Sequence, residues 1–182
     1  MIRSIGLLEV SSIGRGVAAA DAMLKAAAVE LLEARPICPG KYVILVAGDV
    51  AAVESAVGAG REIAADAVID DFLLPNVHPS VISAVGATAS IGEIRALGII
   101  ETFSAASLFV AADAAAKAGD VALIEIRIGM GIGGKSFVTL TGDVSAVNSS
   151  VEAGAAVAGE RGMLVEKIVI PSPHSQLKQC VF

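Results

Sequence analysis

The sequence has no tryptophan, and aromatic residues make up only 3% of its 182 positions. A core without large rings must be filled by Ala, Val, Ile and Leu, whose small volumes let packed elements approach closely. There are only two cysteines, Cys38 and Cys180, too few for a disulfide framework. Charge is sparse at 18%, and basic residues number 13 against 19 acidic ones. The resulting net charge of −6 argues against a nucleic-acid backbone as partner. Long hydrophobic runs are also missing, although the mean hydropathy is high at +0.77. Asp21, Lys25 and Glu30 break one apolar stretch, and Asp113 and Lys117 another, short of the ~20 residues a spanning helix needs. A membrane span is therefore rejected. The start, Met1-Ile2-Arg3-Ser4-Ile5-Gly6, lacks the layout of a secretory signal, so a cytoplasmic protein is expected.

What is abundant is small apolar surface. Hydrophobic residues reach 55%, and a chain this apolar without a span is expected to bury much of it between subunits. The chain also repeats itself. Gly6-Leu7-Leu8-Glu9 and Ala20-Asp21-Ala22-Met23-Leu24-Lys25 return as Gly98-Ile99-Ile100-Glu101 and Ala112-Asp113-Ala114-Ala115-Ala116-Lys117. Gly40-Lys41 matches Gly134-Lys135, and Gly48-Asp49-Val50 matches Gly142-Asp143-Val144. Pro75 and His78 match Pro171 and His174. Order is kept while the spacing grows only from 92 to 96 residues, which marks a tandem duplication. The boundary falls near residues 90–94, giving domains 1–92 and 93–182.

Each copy predicts the same elements. An apolar strand spans Ile2 to Val10, and an Ala-rich helix runs from Val17 to Ala28, with Asp21 and Lys25 at i and i+4. Strands follow at Val29 to Ala34 and Tyr42 to Ala47. Asp49 suits the N-cap of a helix from Val50 to about Ala65. A last strand, Ala67 to Leu74, stops at Pro75, and a short helix is expected from Pro79. The order β-α-β-β-α-β is the ferredoxin-like arrangement of an α/β (α+β) fold, with helices on one face of an antiparallel sheet.

The repeated Gly-Leu-Leu-Glu, Ala-Asp-Ala-x-x-Lys and Gly-Asp-Val segments and the Pro-x-x-His ends resemble tandem-domain bacterial microcompartment shell proteins. The likeness covers nearly the whole chain, twice. Ile37-Cys38-Pro39-Gly40-Lys41 and Gly131-Ile132-Gly133-Gly134-Lys135 narrow it to the propanediol-utilisation branch. It implies a homotrimer forming a pseudo-hexameric disc, tiled with other shell proteins into a microcompartment shell within the cytoplasm. It implies a structural role and no enzyme activity. It also implies a central pore lined by Pro36, Ile37, Pro39 and Gly40 of the first copy and Gly131, Ile132, Gly133 and Gly134 of the second. Lys25 and Lys117 become edge lysines joining neighbouring discs. The arginine common between the prolines of the Pro-x-Pro-His end in single-domain relatives is absent here, where Asn76 and Ser172 stand.

Cys38 is the sharpest feature. On the residues alone it is a lone turn cysteine, flanked by Pro36 and Pro39 and without a CxxC partner. The resemblance implies more: one [4Fe-4S] cluster per trimer, held by three Cys38 thiolates and used for electron transport across the shell. The alternative is a pore for small metabolites with Cys38 unligated. A trimeric ferredoxin-like regulatory module remains a third possibility at this point.

Other motifs carry less. Gly129 to Ser136 satisfies G-x-x-x-x-G-K-[ST], but that pattern cradles phosphate only where a helix follows, and Phe137-Val138-Thr139-Leu140-Thr141 predicts a strand. The lysines are also favourable at helix C-termini. His78 and His174 are expected to cap or orient short helices, and Glu9 and Glu101 to be structural. Cys180 is read as an exposed terminal thiol. No Ser-His-Asp set and no general base is evident, so no catalytic residue is assigned.

Overall fold

The structure is a computed structural model that describes residues 4–86, 92–129 and 131–178. Met130, Cys180 and part of the predicted junction near Ser90 lie outside the described residues.

Strand β1 (Ser4–Val10) is buried throughout; its apolar residues demand this, while Ser4 bonds to the Gly48 carbonyl and Glu9 to Lys41. Helix α1 (Ile13–Ala26) starts four residues earlier than Val17, because the Ser12 side chain caps it by accepting from the Arg15 N–H. Gly14 and Gly16 hide that start from a propensity reading. Gly16 is required by contact: a Cβ there would lie 2.5 Å from the Tyr42 ring. Strands β2 (Glu30–Ile37) and β3 (Lys41–Gly48) follow, then helix α2 (Val50–Ala64), a 3-10 turn (Ala65–Ala67) and strand β4 (Val68–Pro75). The sheet order is β2-β3-β1-β4, antiparallel throughout.

The second copy repeats this as β5 (Ala96–Thr102), α4 (Ala105–Ala118), β6 (Val121–Ile128), β7 (Ser136–Gly142), α5 (Val144–Glu160) and β8 (Leu164–Ile170). Its sheet order is β6-β7-β5-β8. Gly6 and Gly98 sit at matching places in β1 and β5. A Cβ on Gly6 would meet Val53 and Val57 of α2, and one on Gly98 would meet Val147 and Val151 of α5. The second helix of each copy thus rests directly on the central strand.

One expectation is corrected here. Pro36 and Ile37, expected in the loop, are strand residues of β2, opposite Tyr42 and Lys41. Proline is tolerated there because β2 is a sheet edge and needs no further ladder donor. The turn itself is Cys38, Pro39 and Gly40, with Gly40 at φ 74°.

The chain forms two compact units, Met1–Val77 and His78–Phe182. Helix α3 (Pro79–Val85) closes the first copy in sequence, yet by contact it belongs to the second unit, where it packs on β6 and α4. Val81 and Ala84 are buried there. A four-residue helix, α6 (Ser175–Lys178), holds the matching place after β8.

Candidate functional site

The two turns differ as the sequence suggests. Cys38 is a free, half-buried thiol at the tip of the β2–β3 turn. The β6–β7 loop is longer, and Gly129, Gly131, Gly133 and Gly134 all take positive φ, which only glycine adopts freely. Gly129 N–H donates to the Lys135 carbonyl at 3.1 Å, closing that loop. Strand β7 begins at Ser136, so a strand and not a helix follows the loop, and the phosphate-cradle pattern lacks the helix N-terminus it needs after Lys-Ser.

Below each turn lies an ion pair that sequence reading missed. Lys41 Nζ lies 2.6 Å from Glu9 Oε1, and Lys135 Nζ lies 2.6 Å from Glu101 Oε1. Both join the first residues after a turn to the central strand of the same sheet. Glu33–Arg35 and Glu125–Arg127 form a second matching pair on β2 and β6. Retention of both partners in both copies was the available signal. The glutamates are thus structural, and Lys135 is engaged by a carboxylate.

The two histidines act on helix starts. His78 caps α3, with Nδ1 accepting from the Ser80 N–H. His174 Nδ1 accepts from the Gln176 N–H at 3.2 Å.

The expected edge lysines have unequal surroundings. In unit 2 the Asp113 carboxylate is 8% exposed and holds two donors. Lys117 Nζ lies 2.6 Å from Oδ2, and the His78 N–H donates to Oδ1 at 2.7 Å. In unit 1 the duplicate Asp21 is 62% exposed and, among the described residues, holds Lys25 alone, at 2.6 Å. The inequality extends around it. Phe109 and Leu123 are buried in unit 2, whereas their duplicates Val17 and Leu31 are 53% and 40% exposed. Ile13 and Leu24 are also exposed where Ala105 and Ala116 are buried. The exposed positions of unit 1 therefore correspond to the α4–β6 surface on which α3 packs in unit 2. The matching helix α6 shows the reverse: Leu177 is exposed at the place of buried Val81. On the face of the unit 2 sheet that carries Ile99, Phe137 and Ile168, a cavity of about 360 Å³ opens. The Thr139 hydroxyl there is buried with no partner among the described residues.

Among the described residues, no three His, Cys, Asp or Glu side chains of one chain are placed to hold a metal ion. Nor is any helix among the described residues long and apolar enough to cross a membrane.

The family model of the BMC domain matches residues 4–77 and again 96–173. The chain belongs to the bacterial microcompartment domain family. It is 45% identical over 177 residues to the bacterial microcompartment shell protein PduT of Citrobacter freundii, covering 97% of this chain and 96% of that one. It is 41% identical over 87 residues to the shell protein EutM of Salmonella typhimurium, covering 47% of this chain and 88% of that protein. A crystal structure of a microcompartments protein from Desulfitobacterium hafniense DCB superposes with a TM-score of 0.96 at 68% identity, covering 99% of this chain and 100% of that one. A fused permuted hexameric shell protein from the RMM microcompartment shares the fold, with a TM-score of 0.58 at 19% identity over 86% of this chain and 81% of that chain. The tandem duplication is thus two BMC domains, each a four-stranded antiparallel sheet with helices, as the element order predicted.

Proposed function

We propose that this chain is a structural tile of a bacterial microcompartment shell, in which three copies close head to tail into a pseudo-hexameric disc. One observation carries the ring. Helix α3 docks within its own chain on α4 and β6, while among the described residues α6 has no comparable seat there and its matching seat on α1 and β2 stands exposed. The tail of one copy therefore fits the head of the next. Such a heterologous contact either closes into a ring or runs on as a filament. Three chains supply six BMC domains, the number in a hexameric disc. Lys25 and Lys117 then stand at the disc edge as lattice contacts to other shell proteins.

Ring closure brings the Cys38 turn to the axis three times, and the glycine loop three times. We read Cys38 of three subunits as the ligands of one [4Fe-4S] cluster. The residues fit the group in donor type: the thiol is free, half-buried and at the tip of a turn. One chain supplies one soft sulfur, so a cluster requires the threefold axis. Bound there, the group would supply one-electron transfer across the shell. The chain's own part is to fix the thiol: the Glu9–Lys41 pair anchors the strand leaving the turn, and Pro39 limits its backbone. The pore lining in this reading is Cys38, Pro39 and Gly40 with Gly131, Ile132, Gly133 and Gly134.

The test is anaerobic purification with iron and sulfide determination. The expected result is about four irons per three chains and absorbance at about 400 nm, both lost in Cys38→Ser. Protein that closes into trimers but holds no iron or sulfide overturns the cluster and leaves a pore for small metabolites.

A further inference from the structure

We infer that Asp21 is a shared node, accepting the backbone N–H of His174 from the next copy while it holds Lys25, so that ring closure fixes the Lys25 ammonium. The inference rests on the head-to-tail ring proposed above and adds a residue-level coupling to it.

The template is Asp113. Its two carboxylate oxygens are divided between a helix-docking contact, the His78 N–H at 2.7 Å, and a lysine, Lys117 at 2.6 Å. Burial accompanies this arrangement, and Lys117 keeps only 44% of its side-chain surface. Asp21 reproduces one half. Its Oδ2 holds Lys25 at 2.6 Å, Lys25 is 74% exposed, and Oδ1 has no partner among the described residues. His174 supplies the other half, since its backbone N–H also has none. It stands at the position of His78, just before the α6 turn, and Leu177 follows at the position of Val81. The leftover donor and the leftover acceptor are therefore the duplicates of a pair already formed in unit 2. They cannot be the same molecule's spare groups by accident of composition, because the flanking apolar residues, Val17, Leu24 and Leu31 on one side and Leu177 on the other, are left exposed with them.

A hydrogen bond to a carboxylate in a covered site is charge-assisted. Covering Asp21 also strengthens its hold on Lys25, because the local dielectric falls. In the free chain Lys25 samples solvent; in the ring it becomes as restrained as Lys117. A tile thus presents equivalent lysines at its two kinds of edge only after it has closed.

Two measurements test this on the full chain. Asp21 is exposed, so its substitution leaves the fold of one chain intact. In sedimentation equilibrium, Asp21→Ala should raise the dissociation constant between neighbours about ten- to a hundredfold, and Asp21→Asn, which keeps an acceptor oxygen, by less. In acylation by a water-soluble succinimidyl ester, read by peptide mass, Lys25 and Lys117 should react at similar rates in the ring. In single chains made by Leu177→Asp, Lys25 should react several-fold faster while Lys117 is unchanged. An Asp21→Ala ring as tight as wild type, or Lys25 labelling that ignores assembly, overturns the inference and leaves the ring standing. Wild-type protein that stays a single chain overturns the ring and the inference with it.

Discussion

Replacing Leu177 with aspartate should convert the assembled protein into single folded chains. Leu177 is 39% exposed, whereas Val81, its duplicate, is completely buried in the seat formed by α4 and β6. Fully burying a leucine side chain is worth about 1.5–3 kcal/mol. Roughly two-fifths of that surface remains to be covered, so Leu177→Ala should weaken each contact by ~1 kcal/mol. Three contacts close a ring, so the loss over the ring is ~3 kcal/mol if the sites act independently. Aspartate is far more severe. It places a carboxylate in the apolar seat made by Val17, Leu24 and Leu31, near the Asp21 carboxylate, at a cost of several kcal/mol per contact. Light scattering behind a sizing column should move from about 55 kDa for three 18.2-kDa chains to the mass of one. Thermal unfolding of the separated chain should stay cooperative, since Leu177 supports little within its own chain. The contrast is Val81→Asp, which breaks the same contact inside unit 2 and should lower the melting temperature before it changes mass. A Leu177→Asp protein that keeps the wild-type mass would refute the argument from duplication.

Three further outcomes follow from the geometry. Gly6→Ala puts a Cβ 2.5 Å from a Val53 methyl, and valine in a helix has little freedom to move aside, so stability should fall by about 1–3 kcal/mol in denaturant unfolding. A wild-type midpoint would show that α2 does not rest on β1. The Arg15 guanidinium, bonded to Asp66, holds that carboxyl below its usual range. A depressed folded value means stabilisation above pH ~3.8 that is lost as pH falls through the lower folded value, so Asp66→Asn should be slightly less stable than wild type at neutral pH, with a deficit that closes as the pH falls, flattening the acid limb of the stability profile. Lys135→Ala should unpair Glu101 and lower the melting temperature slightly, and titration calorimetry with ATP should give the same flat trace for wild type and variant.

The repeat made the fold legible, because a β-α-β-β-α-β pattern seen twice in register leaves little room for another topology. Boundaries fared worse where a local rule was overridden by a distant contact. Gly16 looks like a helix breaker, but it is the space into which Tyr42 packs. In the second copy Leu108 stands at the position of Gly16 and Ser136 at that of Tyr42, so bulk has moved from the strand to the helix. Pro36 looks like a loop residue, yet the edge of the sheet accepts it. The ion pairs under the turns were invisible because their partners lie 32 or more positions apart. Most of all, α3 could be seen to begin at Pro79, but its choice of core could not. No spacing rule states that a helix at the end of one copy will pack with the next.

That choice explains why duplication matters beyond counting domains. On the ring proposed above, a chain of one domain would have to dock its C-terminal helix on another molecule, and each turn would recur six times around the axis. Fusing two domains makes one such docking intramolecular, as the His78–Asp113 contact shows, and in the proposed ring would leave the other to assembly. It also frees the two copies to diverge at their turns while their frameworks stay matched. Here the divergence is chemical: a thiol on a three-residue turn in one copy, a run of positive-φ glycines in the other. In the proposed trimer a ligand set drawn from one copy would have threefold multiplicity, which would suit the proposed cluster with three protein thiolates. Six equivalent thiols around one axis would crowd such a site with like charge once ionised.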